Sequence, residues 1–307
     1  MRCRKCGEKA VINMRQHRLS LCKQHYLEWL PAQIQKFIKK YGMFSEHDRV
    51  LVAVSGGKDS LALWDILWKL GFNTEGLYIN LGINSEIAYS NRSMKFAQEF
   101  ADNRGLTLHI ADIKIDHGES IPEIFIRTRR GRDKPCALCG LIKRHIMNRF
   151  ALDGQYNVLA TAHNLDDEAA ILLANTLDWS LEFLARGEPI LSSAPGFIKK
   201  VKPFFRTYER EAAAYAILRR IEYMHDECPF STNSKQLYYK KYLNEWEENR
   251  PGTKLRFYLN YLKAIAQGAF PGRQESAGQL AQQRCPQCGQ PTNTGNLCAF
   301  CKLFDQT

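Results

Sequence analysis

The sequence predicts an α/β fold in which a doubly wound parallel sheet is flanked by a small metal-binding module at each end. Three observations predict it: strand-like and helix-like segments alternate through the chain, a glycine-rich turn follows the first apolar strand, and paired cysteines lie near both termini. Such alternation builds a parallel sheet whose ligands bind at the carboxyl ends of the strands. We expect a first module over residues 1–31, a catalytic domain over 32–267, and a linker with the second module over 268–307.

The strands and helices of the predicted sheet follow one another along the chain. Short apolar runs bounded by turn residues indicate strands, and apolar residues at helical spacing indicate helices. The expected strands cover residues 49–55, 75–80, 107–112, 157–162 and 200–205. The expected helices cover residues 32–41, 61–70, 87–103, 139–152, 166–175 and 209–221, with a further helical segment over 234–267. Residues 268–280, rich in Gly, Gln and Ser, are expected to form a linker.

The turn after the first strand, Ser-Gly-Gly-Lys-Asp-Ser over residues 55–60, is expected to bind phosphate. Gly56 and Gly57 allow a sharp turn that presents backbone N–H groups to an anion at a helix N-terminus. The serines at both ends add hydroxyl donors, and Lys58 adds a positive charge. Asp59 would repel phosphate unless a divalent cation lay between them, so we assign it to Mg²⁺. The spacing from glycine to lysine is too short for a G-x-x-x-x-G-K-[ST] loop.

The ten cysteines fall into three groups. Each terminal group supplies four ligands in two close pairs, which suits a closed tetrahedral zinc site. Gly7 and Gly289 follow the second cysteine of each group, where a zinc knuckle turns tightly. The predicted zinc ligands are Cys3, Cys6, Cys22 and His25 in the first module, and Cys285, Cys288, Cys298 and Cys301 in the second.

The third group consists of Cys136, Cys139 and Cys228, and it leaves a fourth ligand position open. Three interpretations follow from these residues alone. They are a zinc site completed by a distant histidine, a redox pair of Cys136 and Cys139 with a persulfide on Cys228, or an iron–sulfur cluster with one iron free. The residues by themselves do not rank the three.

The charge balance points to a polyanionic partner. The formal net charge is +11, and basic clusters lie at residues 127–132, 199–202 and 235–241, the last with interleaved tyrosines. Such clusters suit nucleic acid, although charge cannot distinguish RNA from DNA. The sequence lacks an apolar run of the roughly 18 residues that a membrane span needs, so we predict a cytoplasmic protein.

Two motifs resemble those of a known family. The Ser-Gly-Gly-Lys-Asp-Ser turn is the signature of PP-loop ATP pyrophosphatases, and Leu-Ala-Thr-Ala-His-Asn-Leu-Asp-Asp-Glu-Ala over residues 159–169 is seen in the branch that thiolates tRNA. With the three cysteine groups, the chain resembles tRNA 2-thiouridine synthases of the TtuA type from end to end. The resemblance implies an adenine nucleotide alpha-hydrolase-like fold and a transferase. Such an enzyme adenylates the uridine C2 oxygen with ATP and replaces it with sulfur, giving 5-methyl-2-thiouridine in the T-loop.

Other activities are compatible with the same motifs. The chain could thiolate the wobble uridine or a cytidine of the anticodon loop instead. A different class is a non-catalytic RNA-binding zinc protein that uses ATP only as a folding ligand, which would not need an open three-cysteine site.

The resemblance also implies roles for individual residues. Cys136, Cys139 and Cys228 would hold a [4Fe-4S] cluster, and Asp167 would act in catalysis with Asp59. Lys143, four residues after Cys139, would share its helix face and join cluster to phosphate. The implied ATP site consists of Ala53, Val54, Ser55, Gly56, Gly57, Lys58, Asp59, Ser60, Ile79, Lys143 and Ala162.

The implied partners are tRNA, ATP with Mg²⁺, and a ubiquitin-like sulfur carrier with a C-terminal thiocarboxylate. A homodimer is expected by the same resemblance. The zinc knuckles and basic clusters would either contact tRNA or brace the dimer. His163 lies beside a strand end, where a lone histidine is more often structural than catalytic, and we expect it to be structural.

Overall fold

The computed structural model describes residues 1–84, 87–231, 235–270, 283–292 and 295–305. The strands are β1 (Ile12–Met14), β2 (Leu19–Leu21), β3 (Val50–Val54), β4 (Thr74–Asn80), β5 (Leu108–Asp112), β6 (Val158–Ala160), β7 (Ile190–Leu191), β8 (Lys199–Val201), β9 (Gln283–Arg284) and β10 (Pro291–Thr292). The helices are α1 (Lys23–Lys40), α2 (Lys58–Lys69), α3 (Tyr89–Asp102), α4 (Ile113–His117), α5 (Ile121–Arg127), α6 (Arg129–Asp133), α7 (Pro135–Asp153), α8 (Leu165–Leu177), α9 (Leu181–Leu184), α10 (Glu209–Leu218), α11 (Lys235–Asn249), α12 (Thr253–Ala266) and α13 (Cys301–Phe304). Short 3₁₀ helices cover Arg15–His17 and Pro229–Ser231.

A six-stranded sheet forms the central layer, in the order β5-β4-β3-β6-β8-β7. All neighbouring pairs are parallel except β7 and β8, which are antiparallel. The order reverses between β3 and β6, and ligands of such sheets bind outside the strand ends at this reversal. The predicted doubly wound α/β fold is confirmed. The antiparallel edge strand was not predicted, because two residues are too few to show a strand pattern in the sequence.

Helices cover both faces of the sheet, which explains why its central strand is apolar throughout. Val50, Val52 and Val54 of β3 pack into the core with α2 and α10, whereas Leu51 packs with α7 on the opposite face. A strand buried on both sides shows a continuous apolar run. Gly76 of β4 is required by this packing, because a Cβ there would lie 2.5 Å from the Trp64 ring of α2.

The sheet topology brings two helix N-termini to the same edge. Helix α2 follows β3, so it begins at the carboxyl edge of the sheet. Helix α7 precedes β6 and packs on the opposite face, so it runs back toward the start of β6 and its own N-terminus lies at that carboxyl edge. The Ser-Gly-Gly-Lys-Asp-Ser turn and the Cys136–Cys139 pair therefore lie at the same edge of the sheet, although about 80 residues separate them in the sequence. Parallel strands need long crossover connections, which is why residues so distant in the chain come to one edge.

Four predicted elements differ from the structure by at least four residues at one end or are divided in two. The helix expected from residue 32 begins at Lys23, and its face of Tyr26, Leu30, Ile34 and Ile38 is buried. The first module and the core thus share one helix that runs through the predicted boundary at residue 31, because ligands Cys22 and His25 lie at its start. The division of the chain into three domains stays a prediction.

Helix α7 begins at Pro135 rather than at residue 139, since proline is well suited to the first helical position. The segment expected over 234–267 is two helices, α11 and α12, because Pro251 and Gly252 interrupt it, and Gly252 has a φ of 90°. The last predicted strand ends at Val201, before Pro203, which has no N–H for a sheet. Residues 271–280 of the predicted linker lie outside the described residues.

Both cysteine modules pack on the domain that contains the central sheet. The Tyr26 hydroxyl, which follows the predicted zinc ligand His25, donates a 2.6 Å hydrogen bond to the Glu211 carbonyl of α10. In the second module, Cys285, Cys298 and Cys301 are buried in one apolar cluster with Leu138 and Ile142 of α7. The second module therefore braces the helix that carries the Cys136–Cys139 pair. Within the described residues, every helix is too short or too polar to cross a lipid bilayer.

A buried ion cluster holds α2 against α3 and α10. The Asp65 side chain is fully buried and accepts hydrogen bonds of 2.8 Å each from Arg104 Nε, Arg219 Nε and the Tyr215 hydroxyl. Burial raises the pKa of this carboxyl, but the bonds from Arg219 and Tyr215 outweigh it, so the net shift is downward.

Asp65→Asn is expected to lower the free energy of unfolding by about 3 kcal/mol, because it leaves two partly buried guanidinium groups without a counter-charge. Since the folded pKa is lowered, this contribution is fully present above about pH 4 and declines at lower pH. Urea denaturation at neutral pH measures it. Asp153→Asn, which breaks the exposed Arg149 pair, should cost less than about 1 kcal/mol; equal losses in both variants would contradict the prediction.

Candidate functional site

The turn between β3 and α2 has the geometry of an anion site. Gly56 has a φ of 76°, and a side chain there would collide with the backbone carbonyl of Ser93. The turn is held by Ser60, whose hydroxyl accepts from the Ser55 N–H at 3.1 Å and donates to the Gly57 carbonyl at 3.0 Å. The free N–H groups of the first turn of α2 are thus fixed at the carboxyl edge of the sheet, where they favour phosphate.

A cavity of about 340 Å³ opens beside this turn, at the ends of β3, β4 and β6. Of the residues predicted to bind ATP, the following line it: Ala53, Val54, Ser55, Asp59, Ser60, Ile79, Lys143 and Ala162. Gly56, Gly57 and Lys58 form the adjoining turn and the first residue of α2. Asp167, at the start of α8, also lines the cavity. The structure therefore brings together the residues of four separate segments of the chain.

Charged side chains form a network at the mouth of the cavity. Lys58 Nζ lies 2.9 Å from Asp59 Oδ2 and 2.7 Å from Glu209 Oε1. Burial works to raise the pKa of Glu209, but the charge of Lys240 and the bond from Lys58 outweigh it and lower the pKa to about 2. Burial raises the pKa of Asp59, and Lys58 offsets this only in part. A divalent cation would relieve the crowding of these carboxylates.

Asp167 lies at the start of a helix, where it acts as a cap, and it also lines the cavity, as the sequence suggested. It forms a capping box with Asn164 at the start of α8, accepting from the Asn164 N–H at 3.1 Å. Its other oxygen lies 2.7 Å from Lys240 Nζ. Asp166 instead points into the protein, where it pairs at 2.5 Å with the buried Lys254. The two neighbouring aspartates therefore have different functions, and only Asp167 lines the cavity.

The three central cysteines approach one another beside the cavity. Cys136 and Cys139 lie in the first turns of α7, and Cys136 Sγ donates to the Phe230 carbonyl, two residues after Cys228. Burial raises the pKa of the Cys228 thiol, and Lys143 partly offsets it. Burial and the nearby Cys228 thiol raise the pKa of Cys136. Thiols that disfavour each other's ionisation are suited to a positively charged metal centre.

The spacing of these thiols distinguishes their site from the terminal ones. Within the described residues, two groups of four ligands have all their ligand atoms within 4.8 Å of one another, and these are the two predicted zinc sites. The central trio is not among them, so at least two of its sulfurs lie more than 4.8 Å apart. A polynuclear cluster, in which each cysteine binds a different iron, needs this wider spacing. The donor set fits an iron–sulfur cluster better than a mononuclear zinc.

The terminal groups fit zinc by distance. Cys6 and Cys22 sulfurs are 3.7 Å apart, as are those of Cys288 and Cys298. Zn–S bonds of about 2.3 Å in a tetrahedron place two sulfurs about 3.8 Å apart. Gly7 and Gly289 have φ values of 79° and 69°, so the predicted tight turns after the second cysteines are confirmed.

Lys143 links the cavity to the cysteines. It lines the cavity, and its positive charge acts on both Cys136 and Cys228. Lys143 and Cys139 are four residues apart within α7, so they share a helix face as predicted. A nucleotide and a metal centre on either side of this lysine would therefore face each other.

The sequence matches a family described as the PP-loop domain over residues 27–245, and a second family, described as the 2-thiouridine synthetase TtuA N-terminal LIM domain, over residues 2–27. The chain belongs to the TtuA branch of the PP-loop family. The resemblance drawn from its motifs is thereby confirmed.

Relatives of this PP-loop protein extend over nearly its whole length. A tRNA-5-methyluridine(54) 2-sulfurtransferase of Thermus thermophilus is 45% identical, covering 99% of this chain and 91% of the relative. A protein of the same name from Pyrococcus horikoshii is 42% identical, covering 99% and 94%. Among solved structures, the U34-tRNA thiolase NcsA from Methanococcus maripaludis with its [4Fe-4S] cluster is 27% identical, with a TM-score of 0.76 over 87% of this chain and 88% of that one.

Sequence reasoning missed several residues of this PP-loop site. Glu209 and Lys240 join the network at the cavity mouth, and Tyr89 lines the cavity close to Cys139 and Cys228. Lys240 was assigned with its basic cluster to nucleic acid, since helical phase alone did not show which lysine faces inward. His163, expected to be structural, lines the cavity, with Nδ1 3.0 Å from the Thr161 hydroxyl. Its place directly after β6, a strand that ends at the site, was the available signal.

Proposed function

We propose that this chain is an ATP-dependent sulfurtransferase that converts the 5-methyluridine of the tRNA T-loop to its 2-thio derivative. The observation that carries the proposal is the position of Lys143, which lines the nucleotide cavity and acts electrostatically on Cys136 and Cys228. One site can thus hold an activated nucleotide and a sulfur source together. The full-length similarity to two tRNA-5-methyluridine(54) 2-sulfurtransferases supports the substrate.

ATP would bind with its phosphates on the turn at residues 55–60 and its nucleoside in the cavity. The adenine and ribose would lie against the ends of β3, β4 and β6, near Ala53, Ile79 and Ala162. Lys58 would neutralise the β- and γ-phosphates, while Asp59 and Asp167 would hold Mg²⁺. These residue roles follow from the resemblance and from their positions around one cavity.

Cys136, Cys139 and Cys228 would hold a [4Fe-4S] cluster, and the similar thiolase NcsA has such a cluster. When bound, the cluster supplies an iron without a protein ligand that can carry sulfide. The apolar residues around Cys139 and Cys228, such as Leu81 and Ile142, limit the access of water to this centre. Two zinc ions in the terminal modules would complete the cofactors and stabilise short segments with little core of their own.

The reaction begins with activation of a poor leaving group. The C2 oxygen of the uracil ring attacks the α-phosphorus, the bond from that phosphorus to the bridging oxygen breaks, and its electron pair leaves with pyrophosphate. The N3 proton passes to solvent. Lys58 and the helix dipole of α2 stabilise the charge that develops on pyrophosphate.

Sulfur transfer then replaces the activated oxygen. Hydrosulfide attacks C2, the C2–O bond breaks, and AMP departs with the electron pair, while the sulfur-bound proton moves to N3. Lys143 lies between the cysteines and the cavity, where its ammonium group can attract the sulfide and balance the negative charge of the departing AMP. The products are 5-methyl-2-thiouridine, AMP and pyrophosphate.

An anaerobic assay with tRNA, ATP, Mg²⁺ and sulfide tests the proposal. We expect mass spectrometry of digested tRNA to find sulfur in the nucleoside at position 54. Two tRNA transcripts identify the target, one with cytidine at position 54 and one with cytidine at position 34. The transcript with cytidine at position 54 should remain unmodified, and the transcript with cytidine at position 34 should still gain sulfur. Sulfur at position 34 would favour the second candidate, wobble thiolation, which the similarity to the U34-tRNA thiolase supports. Thiolation at neither position would favour an RNA-binding protein without this activity.

Sulfur would reach the site from a ubiquitin-like carrier with a C-terminal thiocarboxylate, or from free sulfide in vitro, and the enzyme would act as a homodimer. Both statements follow from the resemblance alone. Omitting the carrier from an assay without sulfide, and measuring the mass in solution, test them separately.

A further inference from the structure

Helix α11 places one lysine of its basic segment against Asp167, a residue that lines the cavity. Lys240 Nζ lies 2.7 Å from Asp167 Oδ1 and 2.9 Å from Glu209 Oε2, and its side chain is only 16% exposed. One turn earlier, Gln236 Nε2 donates to the same Asp167 oxygen at 3.2 Å. The next lysine, Lys241, is exposed on the outer side of the helix. Two neighbouring lysines of one basic cluster thus face different surroundings, and only Lys240 belongs to the cavity mouth.

A single carboxylate joins Lys240 to the phosphate-binding turn. Glu209 contacts Lys58 Nζ through Oε1 at 2.7 Å and Lys240 Nζ through Oε2 at 2.9 Å. Its own position at the start of α10 is fixed, because the Glu209 N–H donates to Asp166 Oδ2 at 2.8 Å. Asp166 is in turn paired with the buried Lys254. The two ammonium groups are therefore held facing each other across one small anion.

A larger anion suits the two lysines better than this carboxylate does. Three separate carboxylates, Asp59, Glu209 and Asp167, contact the two ammonium groups, whereas pyrophosphate with a divalent cation offers the lysines several charges and acceptor oxygens on one molecule and offers the two aspartates a cation. Lys58 belongs to the turn that would bind the ATP phosphates. An anion bound at Lys58 would therefore lie within reach of Lys240, which contacts the other oxygen of the same Glu209 carboxylate. Asp59 and Asp167, each released from a lysine, then become available to a divalent cation.

We propose that Lys240 is a second pyrophosphate-binding lysine of this site, and that Glu209 holds it opposite Lys58 until the polyphosphate binds. The inference rests on the proposed function. When the bond between the α-phosphorus and the bridging oxygen breaks, the electron pair goes to pyrophosphate, and both ammonium groups neutralise the added charge. The two lysines act by their charge alone, and the bonds that form and break are those of the adenylation step.

Calorimetric binding of pyrophosphate with Mg²⁺, and separately of AMP, to the full chain tests the proposal without tRNA. Lys240→Met should weaken pyrophosphate binding by about tenfold or more and leave AMP binding unchanged, whereas Lys240→Arg should retain most of the affinity. Lys241→Met, on the exposed side of the same helix, is the matched control and should bind pyrophosphate normally. Unchanged pyrophosphate affinity in Lys240→Met, or an equal loss for AMP, would overturn the assignment.

Glu209→Gln provides a test that does not depend on how well Lys240→Met folds. Removing the competing carboxylate should tighten pyrophosphate binding severalfold, whereas an unchanged or weaker affinity would overturn the proposal that Glu209 occupies the place of the polyphosphate between the two lysines. The two proposals fail separately. If pyrophosphate binding depended on Lys240 but the wild-type protein left tRNA unmodified, only the proposed thiolation activity would be refuted. If Lys240→Met bound pyrophosphate normally and the wild-type protein thiolated tRNA, only the pyrophosphate-binding role of Lys240 would be refuted.

Discussion

Cys228→Ser is expected to lose both its iron and its thiolation activity. Cys228 comes from the segment after α10, which contacts α7 where the Cys136 thiol donates to the Phe230 carbonyl, so it supplies the third thiol from a distant part of the chain. A serine oxygen is a poor ligand for a cluster held by thiolates. Iron analysis and the visible absorbance after anaerobic reconstitution measure the cluster, and nucleoside analysis measures the activity, which should fall below detection.

Cys6→Ser is the matched control for that variant, because it also removes one thiol from a cysteine group. Cys6 belongs to the first terminal module, so this variant should lose one zinc and keep its full iron content. If Cys228→Ser retained the iron and thiolated tRNA normally, the central trio would not be the cluster site, and the proposed chemistry would be wrong.

Lys143→Met is expected to reduce tRNA thiolation by about a hundredfold or more while the protein keeps its cluster. The methionine preserves the length of the side chain and removes the charge that acts on Cys136 and Cys228 from within the cavity. Charge stabilisation in a site that excludes water contributes on this scale. Single-turnover thiolation with sulfide, beside iron analysis and nucleotide binding, separates these properties.

Lys143→Arg should recover part of the activity, because it restores the positive charge with a different shape. Lys95→Met changes the net charge equally at an exposed position of α3 and should thiolate tRNA normally. Loss of iron in Lys143→Met, in proportion to its loss of activity, would show instead that Lys143 acts by stabilising the metal centre.

The backbone connects the two halves of the site directly. The Met224 N–H donates to the Gly56 carbonyl at 2.9 Å, which ties the segment leading to Cys228 to the phosphate-binding turn. The segment that leads to the third cysteine is thus anchored to the turn that is predicted to bind phosphate. This contact explains how residues from distant parts of the chain maintain one geometry around the cavity.

The sequence alone determined those parts of the protein whose geometry is local. Four ligands in two close pairs define a metal module, and two glycines before a lysine define an anion-binding turn, because a few neighbouring residues form each feature. The alternation of strands and helices likewise predicted the parallel sheet and its carboxyl edge. For the same reason, Lys143 could be placed on the helix face of Cys139 from spacing alone.

Only the tertiary structure decided which distant residues meet at that edge. Glu209 and Lys240 have ordinary helical surroundings in the sequence, and their contacts with Lys58 arise from the packing of α10 and α11 around the start of α2. The shared helix α1 and the short antiparallel β7 also depend on contacts beyond their own residues. Such contacts are set by long-range packing, which a pattern of neighbouring residues does not record.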